Sequence, residues 1–461
     1  MRLQNKNPDN KLNNSKRQLK RQVGLFTVTN IVVANIIGAG IFTTTGFIIG
    51  YIRNPLLMII LWVVGGIIAF FGALSYGELG AAFPKAGGEY YFITRQFHPL
   101  LGFLSGWSSL IVGFSAPIAA SAIGATEYFT LVWPVLDSNF LSSVGIGPVL
   151  FKKFLAVFII LVFTIIHSRG LVFGAKIQNI LTVMKVFLII MIIFVGLSFG
   201  KGSYSNLVNF ESFDFSFSGW KSIGLSLMFV MFAYSGWSAS TYIGSEIKSP
   251  RKNIPRSLLI SSGIVMVLYI LLNLFFIFAI PVDEMQGVPE IGGLAARKAL
   301  GETAQMIFSL FIGFALFSSL SAFIILGPRI YYSMAKQGYF FSIAAKVHPK
   351  YRVPVTAIVL QSIIAVVLVL SGTFEQILVY MGFSLGIFPV IAVFGVFKLR
   401  RTGKSKVKLW GYPYVQIVFI IVGILMHLFA FLERPVESSI AILTLLAGIP
   451  FYYWFKKKNF D

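Results

Sequence analysis

At 461 residues the chain is long enough for two or three soluble domains, but 57% of it is hydrophobic, 12% is charged and its mean hydropathy is +0.83. That composition excludes a water-soluble globular protein. The formal net charge of +22 does not point to nucleic acid, because the basic residues sit in short segments between apolar runs, where lipid headgroups are their neighbours. Cysteine is absent, which removes disulfides, thiolate metal sites and cysteine nucleophiles.

In chain order, residues 1–22 are basic and polar and lack the apolar core and small-residue cleavage site of a signal peptide, so they read as a retained tail. From residue 23 onward apolar runs of roughly 20 residues recur, each able to cross a ~30 Å hydrocarbon core. The spacing predicts twelve spans, at roughly 24–49, 56–81, 99–133, 153–168, 174–199, 220–244, 256–280, 302–327, 354–371, 374–397, 411–432 and 436–455. With the N-terminus in the cytoplasm, 29 of the 38 Lys and Arg fall inside, eight outside, and Lys185 within a span, whereas eleven of the 16 acidic residues fall outside. This positive-inside asymmetry puts both termini of a multi-pass chain on the cytoplasmic side of the cell membrane.

The first span carries NIIGAGIFTTTG, 35–46, with Gly38-Ala39-Gly40 at its centre, and the sixth carries FAYSGWS, 232–238, with Ser235-Gly236 at its centre. In hydrocarbon an interrupted helix is tolerated only where it faces protein or a polar cavity. A single glycine cluster reads better as helix packing, as Gly46 and Gly50 do. Here the two clusters each lie in the first span of a five-span stretch, 24–199 or 220–397. An odd number of spans per stretch inverts the second, which predicts an all-α protein with an inverted repeat and discontinuous spans 1 and 6 around a midplane site. A half-helix beginning after Gly38 offers unpaired N–H groups and a positive dipole end to a carboxylate, and half-helices ending at the breaks offer free carbonyls to an ammonium group. An amino acid has both.

These residues resemble the amino acid–polyamine–organocation (APC) superfamily, in its L-type amino acid transporter branch and as a bacterial-type member. The resemblance is carried by NIIGAGIF (35–42), SYGELGAAFPKAGGEYYF (75–92), FAYSGW (232–237), SEIKSPRKNIPRSL (245–258), RIYYSMAKQGYF (329–340) and VHPKYRVP (347–354), in that order. It implies the LeuT-like fold of twelve transmembrane helices, with a first repeat at 23–199, a second at 220–397 and two further helices at 411–455, working by alternating access. It also implies that main-chain N–H groups of Gly38, Ala39 and Gly40 hold the substrate carboxylate, and that carbonyls of Ile36 or Ile37, Phe232, Ala233 and Ser235, beside Gly236, hold the amino group. Phe232 corresponds to the family's closing aromatic gate. Ala39 stands where the family often has Ser, which removes a hydroxyl from the carboxylate cradle, and Ser235 where it often has Gly, which narrows the pocket toward small or medium side chains.

Lys185, in NILTVMKVFLII, is the one Lys or Arg placed in the core of a span rather than near its ends, where a charge costs on the order of 3 kcal/mol unless it meets partners or water. A structural ammonium bonded to carbonyls is one reading. The resemblance supplies the other, that Lys185 replaces the sodium ion of coupled relatives by bridging the first break to hydroxyls of Ser318, Ser319 and Ser321. Glu78 and Glu89 match family motifs at the inner end and read as structural or gating ion-pair members, with Lys85, Arg95 and Arg329 as candidate partners. G196LSFG200 and G403KS405 lack the strand contexts that a nucleophile elbow or phosphate loop requires, and the four scattered histidines suggest no metal motif.

The expectation is therefore a sodium-independent carrier of neutral L-amino acids, with Ala and Ser favoured, acting as an exchanger; a proton-coupled symporter is the alternative. Enzyme and channel readings lack a catalytic cluster and a continuous polar lining. No cofactor or metal is expected. Animal members of the branch are disulfide-linked to a glycoprotein, and without cysteine this chain is expected to work without that accessory subunit, as a monomer in the lipid bilayer.

Overall fold

The computed structural model describes residues 19–133, 147–208, 212–288, 290–371, 384 and 386–460. Most of the basic tail and the first part of the tenth expected span lie outside these residues. Among the described residues nine helices are long and apolar enough to cross a membrane, two shorter apolar ones join them, and no strand forms beyond two isolated bridges.

The first span is split into α1 (Leu25–Ile36) and α2 (Gly40–Ile52). Next comes α3 (Pro55–Ala82), started by Asn54, whose side chain accepts from the Leu57 amide at 2.9 Å while Pro55 needs no donor partner at the first helical position. The short α4 (Gly88–Gln96) leads to α5, which runs from Pro99 to Val132 with a π-helical stretch at Ser109–Ser115. Pro117, just beyond it, has no N–H for the carbonyl one turn back, and such a wide turn absorbs the lost bond.

Then follow α6 (Pro148–Ser168), α7 (Leu171–Phe199), α8 (Phe217–Ala233), α9 (Pro250–Ala279), α10 (Ile291–Leu300) and α11 (Glu302–Lys336). The rest are α12 (Val355–Ser371), α13 (Ile387–Arg401), α14 (Tyr414–Glu433), α15 (Pro435–Leu446) and α16 (Gly448–Phe460). One expectation is modified: the sixth span, expected to 244, stops being α-helical at Ala233, and turns with a single 3-10 segment at Ala239–Thr241 replace its second half. The run YSGWSAS is rich in Ser and Gly, which favour local turns over helix, and Gly236 adopts φ +98°.

Helices α1, α8 and α11 are the inner members. α1 packs against α7, α9 and α11, and α8 against α2, α3 and α14. The outward faces of α6, α7, α12 and α14 carry exposed Phe158, Ile165, Phe187, Phe194, Ile363 and Ile424, the apolar belt expected where lipid is the solvent.

Candidate functional site

α1 ends because the amides of Gly38, Ala39 and Gly40 donate to no carbonyl, the last bond before the gap running from the Ile37 amide to the Val33 carbonyl. α2 then begins with no side-chain cap at Ala39, so three N–H groups are left without a partner at the positive end of a 13-residue helix. A Cβ on Gly38 would meet only the Ile36 carbonyl oxygen, at 4.0 Å. Gly40, by contrast, lies against the second break, where a Cβ would come to 2.9 Å from Ala233 Cα.

The two breaks touch a second time, where Gly236 approaches Asn35 so closely that a Cβ would fall 2.6 Å from its side-chain oxygen. Between these contacts the Tyr269 hydroxyl, from α9, lies 2.9 Å from the Ile36 carbonyl and 3.0 Å from the Ala233 carbonyl. One phenol thus spans the ends of α1 and α8, and it is a residue that sequence reasoning missed: nothing local marks a tyrosine 33 positions after Gly236 as belonging to the breaks.

A cavity of about 140 Å³ opens here. It is lined by Ile36, Gly38, Ala39, Gly40, Phe232, Ala233, Ser235 and Gly236, with hydroxyl-bearing Ser105, Ser108, Ser109 and Ser121 from α5. Of the expected substrate-binding residues only Ile37 is turned away. Its carbonyl accepts from Lys185 Nζ at 2.5 Å and from Ser319 Oγ at 2.7 Å, and Ser319 in turn accepts from Lys185 at 2.8 Å. A weaker contact joins Lys185 to the Ala34 carbonyl at 3.4 Å. Lys185, 1% exposed, therefore joins α7, the end of α1 and α11 at one point. Ser318 and Ser321 do not reach it: Ser318 faces Gln178 and Thr182, and Ser321 faces His167 at 2.8 Å. On a helix, adjacent residues point about 100° apart, so of the neighbouring serines on α11 only Ser319 faces the lysine.

Unpartnered amides, two carbonyls that share a single phenol proton and an ammonium behind them suit a small zwitterion. Comparison with known proteins decides the family. The amino acid permease family model matches residues 23–452.

This chain belongs to the amino acid permease family.

The permease is 28% identical to the serine/threonine exchanger SteT of Bacillus subtilis over 96% of this chain and 98% of the relative. It is 27% identical to the b(0,+)-type amino acid transporter 1 of Mus musculus over 95% of this chain and 88% of the relative. It is also 27% identical to the large neutral amino acids transporter small subunit 2 of Oryctolagus cuniculus, over 94% and 80%. The permease is thus a multi-pass membrane protein of a transporter family, and having no cysteine it forms no disulfide with an accessory chain.

At the end of the permease nearest its N-terminal segment, the acidic residues find partners other than those expected. Glu78 is held by Arg400, whose guanidinium makes 2.8 and 2.7 Å bonds to its two oxygens, and by Ser405. Arg329 instead clasps Glu246 at 2.8 and 2.9 Å, both side chains being 1% exposed. Glu89 has neither arrangement. It lines the cavity between the breaks and accepts from the Tyr242 hydroxyl at 3.0 Å. No acid lies near either break along the chain; folding brings Glu89 to the cavity from the segment after α3. Among the described residues no group of three His, Asp or Glu could hold a metal ion.

Proposed function

We propose that this permease is a sodium-independent exchanger of neutral L-amino acids that works by alternating access. The observation that carries the reading is the pairing, in one cavity wall, of three unpartnered amides at Gly38, Ala39 and Gly40 with the carbonyls of Ile36 and Ala233. The amides hold a carboxylate, and the carbonyls hold an ammonium group in exchange for, or beside, the Tyr269 hydroxyl. Ser235 and Gly236 border the side-chain space, and Phe232 closes over it.

Sodium independence is supported by Lys185, whose ammonium occupies a position bounded by the Ile37 carbonyl and Ser319, a cation already in place between α1 and α11. Small neutral substrates are supported by the serine-lined wall of α5 and by a relative named as a serine/threonine exchanger. Twelve spans, with repeats at 23–199 and 220–397 and both termini cytoplasmic in the cell membrane, complete the proposal, together with action as a monomer without an accessory subunit.

The test is counterflow. Proteoliposomes of the purified chain, loaded with unlabelled L-serine, should take up labelled L-serine, while empty vesicles take up little; equal uptake into both would remove the exchanger assignment. Competition should be strongest from Ala, Ser and Thr and weak from Asp, Glu, Lys and Arg. A proton-coupled symporter is the second reading, favoured by the carboxyl of Glu89 in the cavity wall, and accumulation driven by an imposed pH gradient would promote it.

A further inference from the structure

Three acidic side chains are buried at the N-terminal end of the bundle, and two of them, Glu78 and Glu246, are each bound by a guanidinium. The third, Glu89, is 8% exposed and has one hydrogen bond, from Tyr242. The Tyr76 hydroxyl faces the same carboxyl, and the cations of the elements packed around α4 are directed elsewhere. Arg329 of α11 is held by Glu246 and Arg400 of α13 by Glu78, while Lys398 bonds the Gln96 carbonyl. Arg95 lies over the Tyr91 ring, Lys336 over the Tyr332 ring, and Lys85 is exposed. An ionised carboxylate buried with a single hydroxyl donor is unfavourable, whereas its protonated form is not. Burial pushes the Glu89 carboxyl up to about 7, against the Tyr242 and Tyr76 hydroxyls, which pull it down.

The placement is built rather than incidental. Gly87 and Gly88 have φ of +112° and +50°, and a Cβ on Gly88 would lie 2.4 Å from the Tyr242 ring. Only glycines allow that chain path and that approach. The Gly87 amide donates to the Tyr242 carbonyl at 3.0 Å, and the Ala86 amide donates to Ser245 at 2.8 Å. Glu89 is thereby attached to the non-helical segment that begins at the α8 break.

We propose that the Glu89 carboxyl is a proton-binding site in the wall of the substrate cavity, occupied while this end of the cavity is closed and emptied when water enters. The inference rests on the reading of this cavity as the amino acid route. Opening that separates Tyr242 from Glu89 hydrates the carboxyl and releases the proton, and closure requires it back. Exchange therefore slows as pH rises through neutrality.

The experiment is labelled L-serine exchange in proteoliposomes from about pH 5.5 to about pH 8.5, with wild type expected to fall about fivefold around a midpoint near 7. Glu89→Gln, a permanently neutral isostere, should vary less than about twofold over the same range. Tyr242→Phe, which removes the donor that favours the carboxylate, should move the midpoint to higher pH. A flat wild-type profile, a Glu89→Gln variant that keeps the wild-type profile, or one that changes only its discrimination between neutral and cationic substrates would overturn the proposal. If Glu89→Gln fails to insert, an unmoved midpoint in Tyr242→Phe overturns it.

A second readout is independent of transport. Trp237 lines the cavity, with its ring 4.7 Å from that of Tyr76, so its fluorescence in the purified protein should titrate near 7 in wild type and not in Glu89→Gln. A wild type that exchanges no amino acid but shows this titration would refute the transport reading alone. Exchange without the titration would refute the proton site alone.

Discussion

Tyr269 and Ala233 are joined by a 3.0 Å hydrogen bond from the phenol to the last helical carbonyl of α8, and the same oxygen lies 2.9 Å from the Ile36 carbonyl at the end of α1. A hydroxyl has one proton for these two acceptors, so one carbonyl is always underserved and available to an incoming ammonium group. Tyr269→Phe removes the bridge while retaining the ring, which packs between Trp62 and Tyr234. The expected outcome is a folded protein that loses about 1 kcal/mol in this contact, seen as a severalfold change in the KM for exchange larger than any change in melting temperature would suggest.

Lys185→Ala leaves the Ile37 carbonyl and Ser319 without their ammonium partner in a buried site, a loss of about 1–3 kcal/mol. Exchange should fall at least about tenfold, equivalent to about 1.4 kcal/mol on the limiting step, in protein that still inserts and elutes as a single species. Lys185→Arg should restore little, because a planar fork does not fit where a compact ammonium meets two oxygens. Ser319→Ala should cost less than Lys185→Ala, and Ser318→Ala, whose hydroxyl faces Gln178, less again. Wild-type exchange in well-folded Lys185→Ala would leave that lysine a merely structural role.

The glycines of the first break separate folding from binding. At Gly38 a methyl group has room, its nearest neighbour being 4.0 Å away, so Gly38→Ala should fold normally and yet weaken substrate binding about tenfold or more, by blocking approach to the amides. At Gly40 the same methyl would press on Ala233, and Gly40→Ala should disturb the junction of the breaks, lowering both stability and exchange. Gly263→Ala, with nothing within 4 Å, is the control and should be silent. Thermal-shift measurements with and without L-serine would resolve the three.

Arg329→Ala would strand the buried carboxylate of Glu246, which the guanidinium now grips through two nitrogens. Removing one partner of such a pair costs about 3–5 kcal/mol, so the yield of folded protein in membranes should drop steeply, and Glu246→Gln in the same chain should recover part of it. Failure of the second substitution to recover any would mean that Arg329 acts through its other contact, the Ile325 carbonyl at 2.7 Å.

The membrane class, the approximate spans and the two breaks were legible in the chain because hydropathy and helix interruption are local properties: a run of apolar residues can cross lipid wherever it packs, and Gly38-Ala39-Gly40 or Ser235-Gly236 breaks a helix by its own conformational preferences. Lys185 was legible for the same reason, as a charge among apolar neighbours. Which oxygens receive it was not, since the choice of Ser319 over Ser318 and Ser321 depends on the rotation of α11 about its own axis, which packing against α5, α7 and α10 sets. The second half of the sixth span shows where local pattern misled: the residues after Ala233 are apolar enough for a helix but become turns held by Asn35, Lys85 and Gly87 from distant segments. Tyr269 was hidden altogether, and Glu89 was legible only as a member of an expected ion pair, not as a residue of the cavity wall. They lie 33 residues after one break and 49 after the other, and only the packing of α9 against α1, and of α4 against the turns that follow α8, brings the phenol to the two break carbonyls and the carboxyl to the cavity wall, because hydrogen-bond partners are chosen by distance in space and not along the chain.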